Sequence, residues 1–157
     1  MVDRIKPTVP FREEGQRGAM WCGPAAISAL TGYSTTEVSR LVARSRNNRR
    51  GAGRFSGTRS VRGVKAMTDR EVSSALEALG YKARTSRVIS GDREATLAQW
   101  ARDHADPIGS YVVLITGHFV AVHNGQIIDN RTCQWADVLR PGAPYRRARV
   151  KCAIRVQ

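Results

Sequence analysis

An α+β fold, with helices in the amino-terminal part of the chain and an antiparallel sheet in the carboxy-terminal part, is what this sequence predicts. Three observations carry it. Ala25, Ala26, Ile27, Ala29 and Leu30 form a helix-favouring apolar run that Gly32 stops, and two later segments open with capping-box spacing. Residues 109 to 116, GSYVVLIT, are β-branched and apolar without alternation, as in a strand covered on both faces. After them GHFVAVHNGQIIDN reads as a hairpin, with Asn124-Gly125 as a two-residue type I′ turn.

The first helix begins at or just after Cys22, because Pro24 occupies an early position where a helix has no use for the missing N–H. Unpaired N–H groups and the positive end of the helix dipole favour a thiolate there, so Cys22 is the candidate nucleophile. Ser34 and Glu37 have capping-box spacing ahead of Val38, Leu41 and Val42, which predicts a second helix over about 35–44. Thr68 and Glu71 repeat that spacing before Val72, Leu76 and Leu79, predicting a third helix over about 69–79 that ends at Gly80. Residues 81–88 read as a strand, 95–104 as a fourth helix around Leu97 and Trp100, and 149–156 as an alternating last strand.

The hairpin turn sets a register. With Asn124 and Gly125 central, His123 pairs with Gln126, Val120 with Asp129 and His118 with Arg131. His118, Val120 and Asp129 then share one face, while Phe119, Ala121 and Asn130 share the other.

The chain has 157 residues, 41% of them hydrophobic, a size for one domain with its own core over 1–157. Pro7 and Pro10 make residues 1–15 an extended arm. The amino terminus is polar, without the apolar core of a signal peptide, and no apolar run approaches the roughly 18 residues of a membrane span, so no membrane partner is expected. Cys22, Cys133 and Cys152 form no CxxC pair, which points away from a zinc site and a disulfide framework and toward a reducing, cytoplasmic compartment. Cys133 and Cys152 read as packing residues, and His104 and His123 as surface residues.

Lys plus Arg number 26 against 13 Asp plus Glu, a net charge of +13, which predicts attraction to nucleic acid or an acidic protein assembly. The densest basic stretch holds Arg44, Arg46, Arg49, Arg50, Arg54, Arg59, Arg62 and Lys65 with no acidic residue, and residues 45–66 read as an Arg-rich loop. No helix-turn-helix or RNA-recognition motif accompanies it.

A cysteine opening a helix, a histidine opening a later strand and a carboxylate or amide beyond the hairpin supply a nucleophile, a base and an orienting group. Gln16 six residues before Cys22, the run CGPAAISALTGY, the later GHFVAV and the final IIDN together resemble papain-like cysteine peptidases. Within them the similarity is to the compact bacteriocin-processing type of exporter peptidase domains and its relatives, including proteins in phage genomes. The resemblance implies a papain-like fold in which the helix bearing Cys22 packs on the sheet. It also implies a thiol hydrolase for peptide or isopeptide bonds that needs no metal or organic cofactor. On it Cys22 is the nucleophile, His118 the general base, Asp129 the orienting residue and Gln16 an oxyanion-hole donor. Asn130 is the rival for the third place, because papain uses an asparagine there. The competing expectation is a papain-fold structural or interaction protein, such as a virion component, that binds a polyanion through its basic surface. The chain departs from papain in lacking its CGSCW wording, and Trp21 stands where many exporter peptidases have an acidic residue.

Overall fold

A computed structural model describes residues 5–9, 21–49, 67–87, 89–90 and 93–157. Helix α1, Cys22–Thr31, is buried along its whole length, as its composition requires, and closes on Gly32 in the left-handed conformation at φ 78°. Its last turn is satisfied from outside: the backbone N–H groups of Lys6 and Thr8 donate to the carbonyls of Leu30 and Ala29, each at 2.8 Å. This is the described part of the expected arm.

Helix α2, Thr35–Arg49, runs five residues beyond the expected end and into the segment expected to be a loop. The apolar pattern does break at Arg44, but arginine is a good helix former, and a tertiary contact holds the extension. Arg46 donates through Nε and Nη2 to both carboxylate oxygens of Glu71 at 2.6 and 2.9 Å. That guanidinium holds the Glu71 carboxyl down at about 2, against burial, which pushes the other way. Helix α3, Asp69–Ala78, carries the expected capping box between Thr68 and Glu71. Strands β1, Ala83–Ser86, β2, Ile89–Ser90, and β3, Arg93–Glu94, come next. The first is shorter than the predicted 81–88, and the other two pair with each other. Helix α4, Leu97–Asp103, starts two residues later than predicted because Thr96 and Gln99 form a second full capping box.

Strands β4, Ser110–Ile115, β5, His118–His123, β6, Gln126–Ile128, β7, Ala136–Asp137, and β8, Val150–Val156, complete the chain. With β1 they form a six-stranded antiparallel sheet in the order β1-β8-β4-β5-β6-β7. The apolar run at 110–115 is central, as predicted, between β8 and β5. Asn124 at φ 49° and Gly125 at φ 72° make the type I′ turn, and His123 pairs with Gln126 as the turn requires.

The hairpin ladder ends sooner than expected. Its last pair is Ala121 with Ile128, so the anticipated pairs Val120 with Asp129 and His118 with Arg131 do not form. Asp129 instead opens a turn: its carboxylate accepts the Thr132 N–H at 2.8 Å, and its carbonyl accepts the Cys133 N–H at 3.1 Å.

One sheet face, with Val112, Phe119, Ala121, Ile128 and Ile154, packs under α1, α2 and α3. The other, with Tyr111, Val113, Val120, Val122 and Ile127, is covered by Leu97 and Trp100 of α4. The alternation along β5 and β6 follows the turn-derived register. His123 departs from the surface reading: it is half-buried, and its Nδ1 lies 2.7 Å from Ser110 Oγ. Burial keeps its pKa below the ordinary value. Cys152 is buried in the sheet, and burial pushes its thiol up. No helix among the described residues is long and apolar enough to cross a membrane.

Candidate active site

Cys22 is the first residue of α1, and its thiol meets the start of β5. Trp21, at the N-cap, has φ −97° and ψ 4° and gives no side-chain cap, and the first turn carries no acidic residue. The N–H groups of that turn are therefore not spent on a side-chain acceptor at the cap. Gly23 is closely packed, since a Cβ there would lie 2.7 Å from Met67 Sδ and 3.1 Å from Met67 Cβ. Burial raises the pKa of Cys22, but the neighbouring His118 and the backbone N–H groups of Phe119 and Gly23 together bring it below the ordinary thiol value.

His118 opens β5 after Gly117, which turns the chain at φ 69°. Its Nε2 lies 2.8 Å from Asp129 Oδ2, and both side chains are buried, at 8% and 1% exposure. With Nε2 engaged, the buried Nδ1 has no hydrogen-bond partner among the described residues and is the ring atom left for Cys22. Burial pulls the His118 pKa down, yet the hydrogen bond to Asp129 and the neighbouring Cys22 outweigh it and push the value up to about 9. The directions agree on both sides of the pair: the thiol is lowered and the imidazole raised, each toward its charged form.

Asp129 is held by more than His118. Oδ1 accepts the Thr132 N–H at 2.8 Å and its hydroxyl at 2.7 Å, and Oδ2 accepts the Tyr145 hydroxyl at 2.7 Å. Burial raises its pKa, but these donors, His118 first, hold the carboxyl far below the usual carboxylate range. Neither Thr132 nor Tyr145 follows from the sequence reading. Thr132 had a local signal, three residues after an Asp, the spacing of a side-chain-capped turn. Tyr145, sixteen residues from Asp129, had none.

Asn130 is fully buried, two residues beyond Ile128 of the helix-side core, while it is Asp129 that meets the ring. Gln16 lies outside the described residues, as do Arg50, Arg54, Arg59, Arg62 and Lys65, and with them the structure of most of the expected Arg-rich loop. Arg44 is exposed on α2, and the backbone of Arg49 ends that helix. Arg46 is committed to Glu71, so its place is within the fold's own helix packing and not in a loop open to a polyanion.

No protein-family model and no curated protein matches the sequence. A solved structure does match: the peptidase domain of Streptococcus ComA, a bi-functional ABC transporter involved in a quorum-sensing pathway. The match covers 98% of this chain and 97% of that one, with a TM-score of 0.52 and 16% sequence identity. The four helices and the antiparallel six-stranded sheet correspond to that domain. The α+β class expected from the sequence is thus the one observed, with the helix bearing Cys22 packed on the sheet, and this chain has the fold of that peptidase domain.

Proposed function

We propose that this protein is a papain-like cysteine hydrolase that cleaves a peptide or isopeptide bond through an acyl-enzyme at Cys22. One observation carries the reading: a helix-initial thiol and an imidazole act on each other's proton affinity, and the imidazole Nε2 lies 2.8 Å from a buried carboxylate. The likeness of fold to a peptidase domain supports the same class.

In the resting state the proton sits on His118 and Cys22 is a thiolate. Its sulfur attacks the substrate carbonyl carbon, and the displaced electron pair moves to the oxygen. On this reading the backbone N–H of Cys22 donates to that oxyanion, with Gln16 as the second donor. Collapse expels the amine, which takes the proton from His118 Nδ1, leaving a thioester and a neutral ring. Water then attacks the thioester carbon as His118 accepts its proton, and release of the acid restores thiolate and imidazolium. Asp129 orients the ring and stabilises its cation throughout, without taking the proton.

The test is the pH dependence of Cys22 alkylation, read by intact mass and peptide mapping, in the native protein and in His118→Ala. Iodoacetamide labels Cys22 well below pH 8 if the thiolate is present. Iodoacetate, whose carboxylate is drawn to the imidazolium, loses rate as His118 deprotonates near pH 9. The sign follows from the raised imidazole value: the cation survives up to that pH and is lost above it. Removing His118 should abolish both features. Equal labelling with and without His118, or a thiol inert until the chain unfolds, would remove the hydrolase reading.

A further inference from the structure

Asp129 has more donors than one imidazole needs. Thr132 supplies two to Oδ1, while Oδ2, the oxygen facing His118, also takes the Tyr145 hydroxyl at 2.7 Å. The Tyr145 ring lies with its centroid 5.2 Å from that of His118, tilted by 45°. One side chain therefore touches both partners of the His118 to Asp129 bond. It does so from a backbone φ of 58°, the left-handed region, where a bulky non-glycine residue is uncommon and is held by its surroundings. Its carbonyl accepts the Ala148 N–H at 2.8 Å, which closes the turn that presents the ring.

We propose that Tyr145 is a positioning residue for the Cys22 and His118 pair: its hydroxyl aims and partly neutralises Asp129 Oδ2, and its ring shields the Asp129 to His118 hydrogen bond from water. The inference rests on the hydrolase reading above and deepens it, since Tyr145 acts on the thiol only through the imidazole. The hydroxyl stays a donor throughout the working range, because burial and Asp129 push its pKa up to about 12. The titratable and charged groups that face the pair are Cys22 from α1, Asp129 from the turn after β6, Tyr145 itself, and Arg131, whose charge acts on the tyrosine.

The two halves of the role predict shifts of opposite sign. Tyr145→Phe keeps the ring and leaves Thr132 holding Oδ1, but frees charge on Oδ2 for His118. The alkaline limb of iodoacetate labelling at Cys22 should then rise by about half a pH unit. Tyr145→Ala also opens the bond to water, where it is weaker. That limb should fall by roughly one unit, and the rate at neutral pH should drop severalfold. Cys152, 5% exposed, reports folding in the same experiment by remaining unlabelled. If Tyr145→Ala exposes Cys152, the Phe variant decides alone: an upward shift supports the role, and an unmoved or lowered limb overturns it. With both variants folded, profiles that keep both limbs at the wild-type positions, whatever their amplitude, overturn it too. A wild-type profile without any His118-dependent limb sinks the hydrolase reading itself, so the two failures are told apart.

Discussion

Helices α1 and α3 handle the same physical problem in opposite ways. Each exposes unpaired N–H groups and a positive dipole end at its start. Helix α3 spends them on stability: Thr68 accepts the Glu71 N–H at 3.2 Å, Glu71 accepts the Thr68 N–H at 2.9 Å, and two carboxylates stand in the first turn. Helix α4 has the same box in Thr96 and Gln99. Helix α1 has no side-chain cap and no acid, and the group it places at its start is the Cys22 thiol. A helix end left without a cap is a local loss of stability, and here the whole length of α1 is buried, so tertiary packing holds what capping does not. The difference separates helices capped for the fold's stability from the one that, on the proposed reading, presents the nucleophile.

The largest effect that sharpens this contrast is expected from Gly23→Ala. The new Cβ would meet Met67 Sδ at 2.7 Å, so the Met67 side chain or the first turn of α1 would have to move, and urea unfolding should show a loss of about 1–3 kcal/mol. Labelling of Cys22 at acidic pH should fall with it, because the thiol is set by that turn. Unchanged stability would mean that α1 is not held there by close packing.

Trp21→Asp gives α1 the cap it lacks, with an added negative charge beside the thiol. The helix should gain about 0.5–1 kcal/mol, while iodoacetamide labelling of Cys22 at pH 6 should slow roughly fivefold as the thiolate loses favour. A rate that does not change would break the comparison, showing that the vacant cap has no bearing on reactivity.

Thr68→Ala and Thr96→Ala should each cost about 1 kcal/mol in denaturant unfolding and leave the pH profile of Cys22 labelling where it was. A shifted profile in either variant would place those caps in the site's electrostatics as well as in the fold.

Much of the architecture was legible because its determinants are local. The box of Thr68 and Glu71 spans three residues, and the turn at Asn124 and Gly125 sets which neighbours share a face by the pleat alone. Thr96 with Gln99 was equally local and passed unread. The end of α2 was misjudged because its last turns are held by an ion pair from Arg46 to Glu71, 25 residues away, which leaves no periodic mark in the sequence. At the site, the parity of β5 and β6 placed His118 and Asp129 on one face, and the structure has them 2.8 Å apart although the ladder stops at Ile128. The turn closed by Thr132, and not strand pairing, brings the carboxylate there.

By itself the sequence determined the helix start at Cys22, the two-face alternation of the hairpin, the central strand and the order of helices before sheet. These depend on residues within one or two turns of each other, whose geometry the backbone imposes. Only the tertiary structure decided that Arg46 belongs to the α2 and α3 contact, that Asp129 is the group meeting the ring while Asn130 is buried beside the core, and that Tyr145 closes over both. Those contacts join segments whose separation in the chain carries no pattern, and they exist only once the sheet and helices have packed and brought the loops at one end of the sheet together.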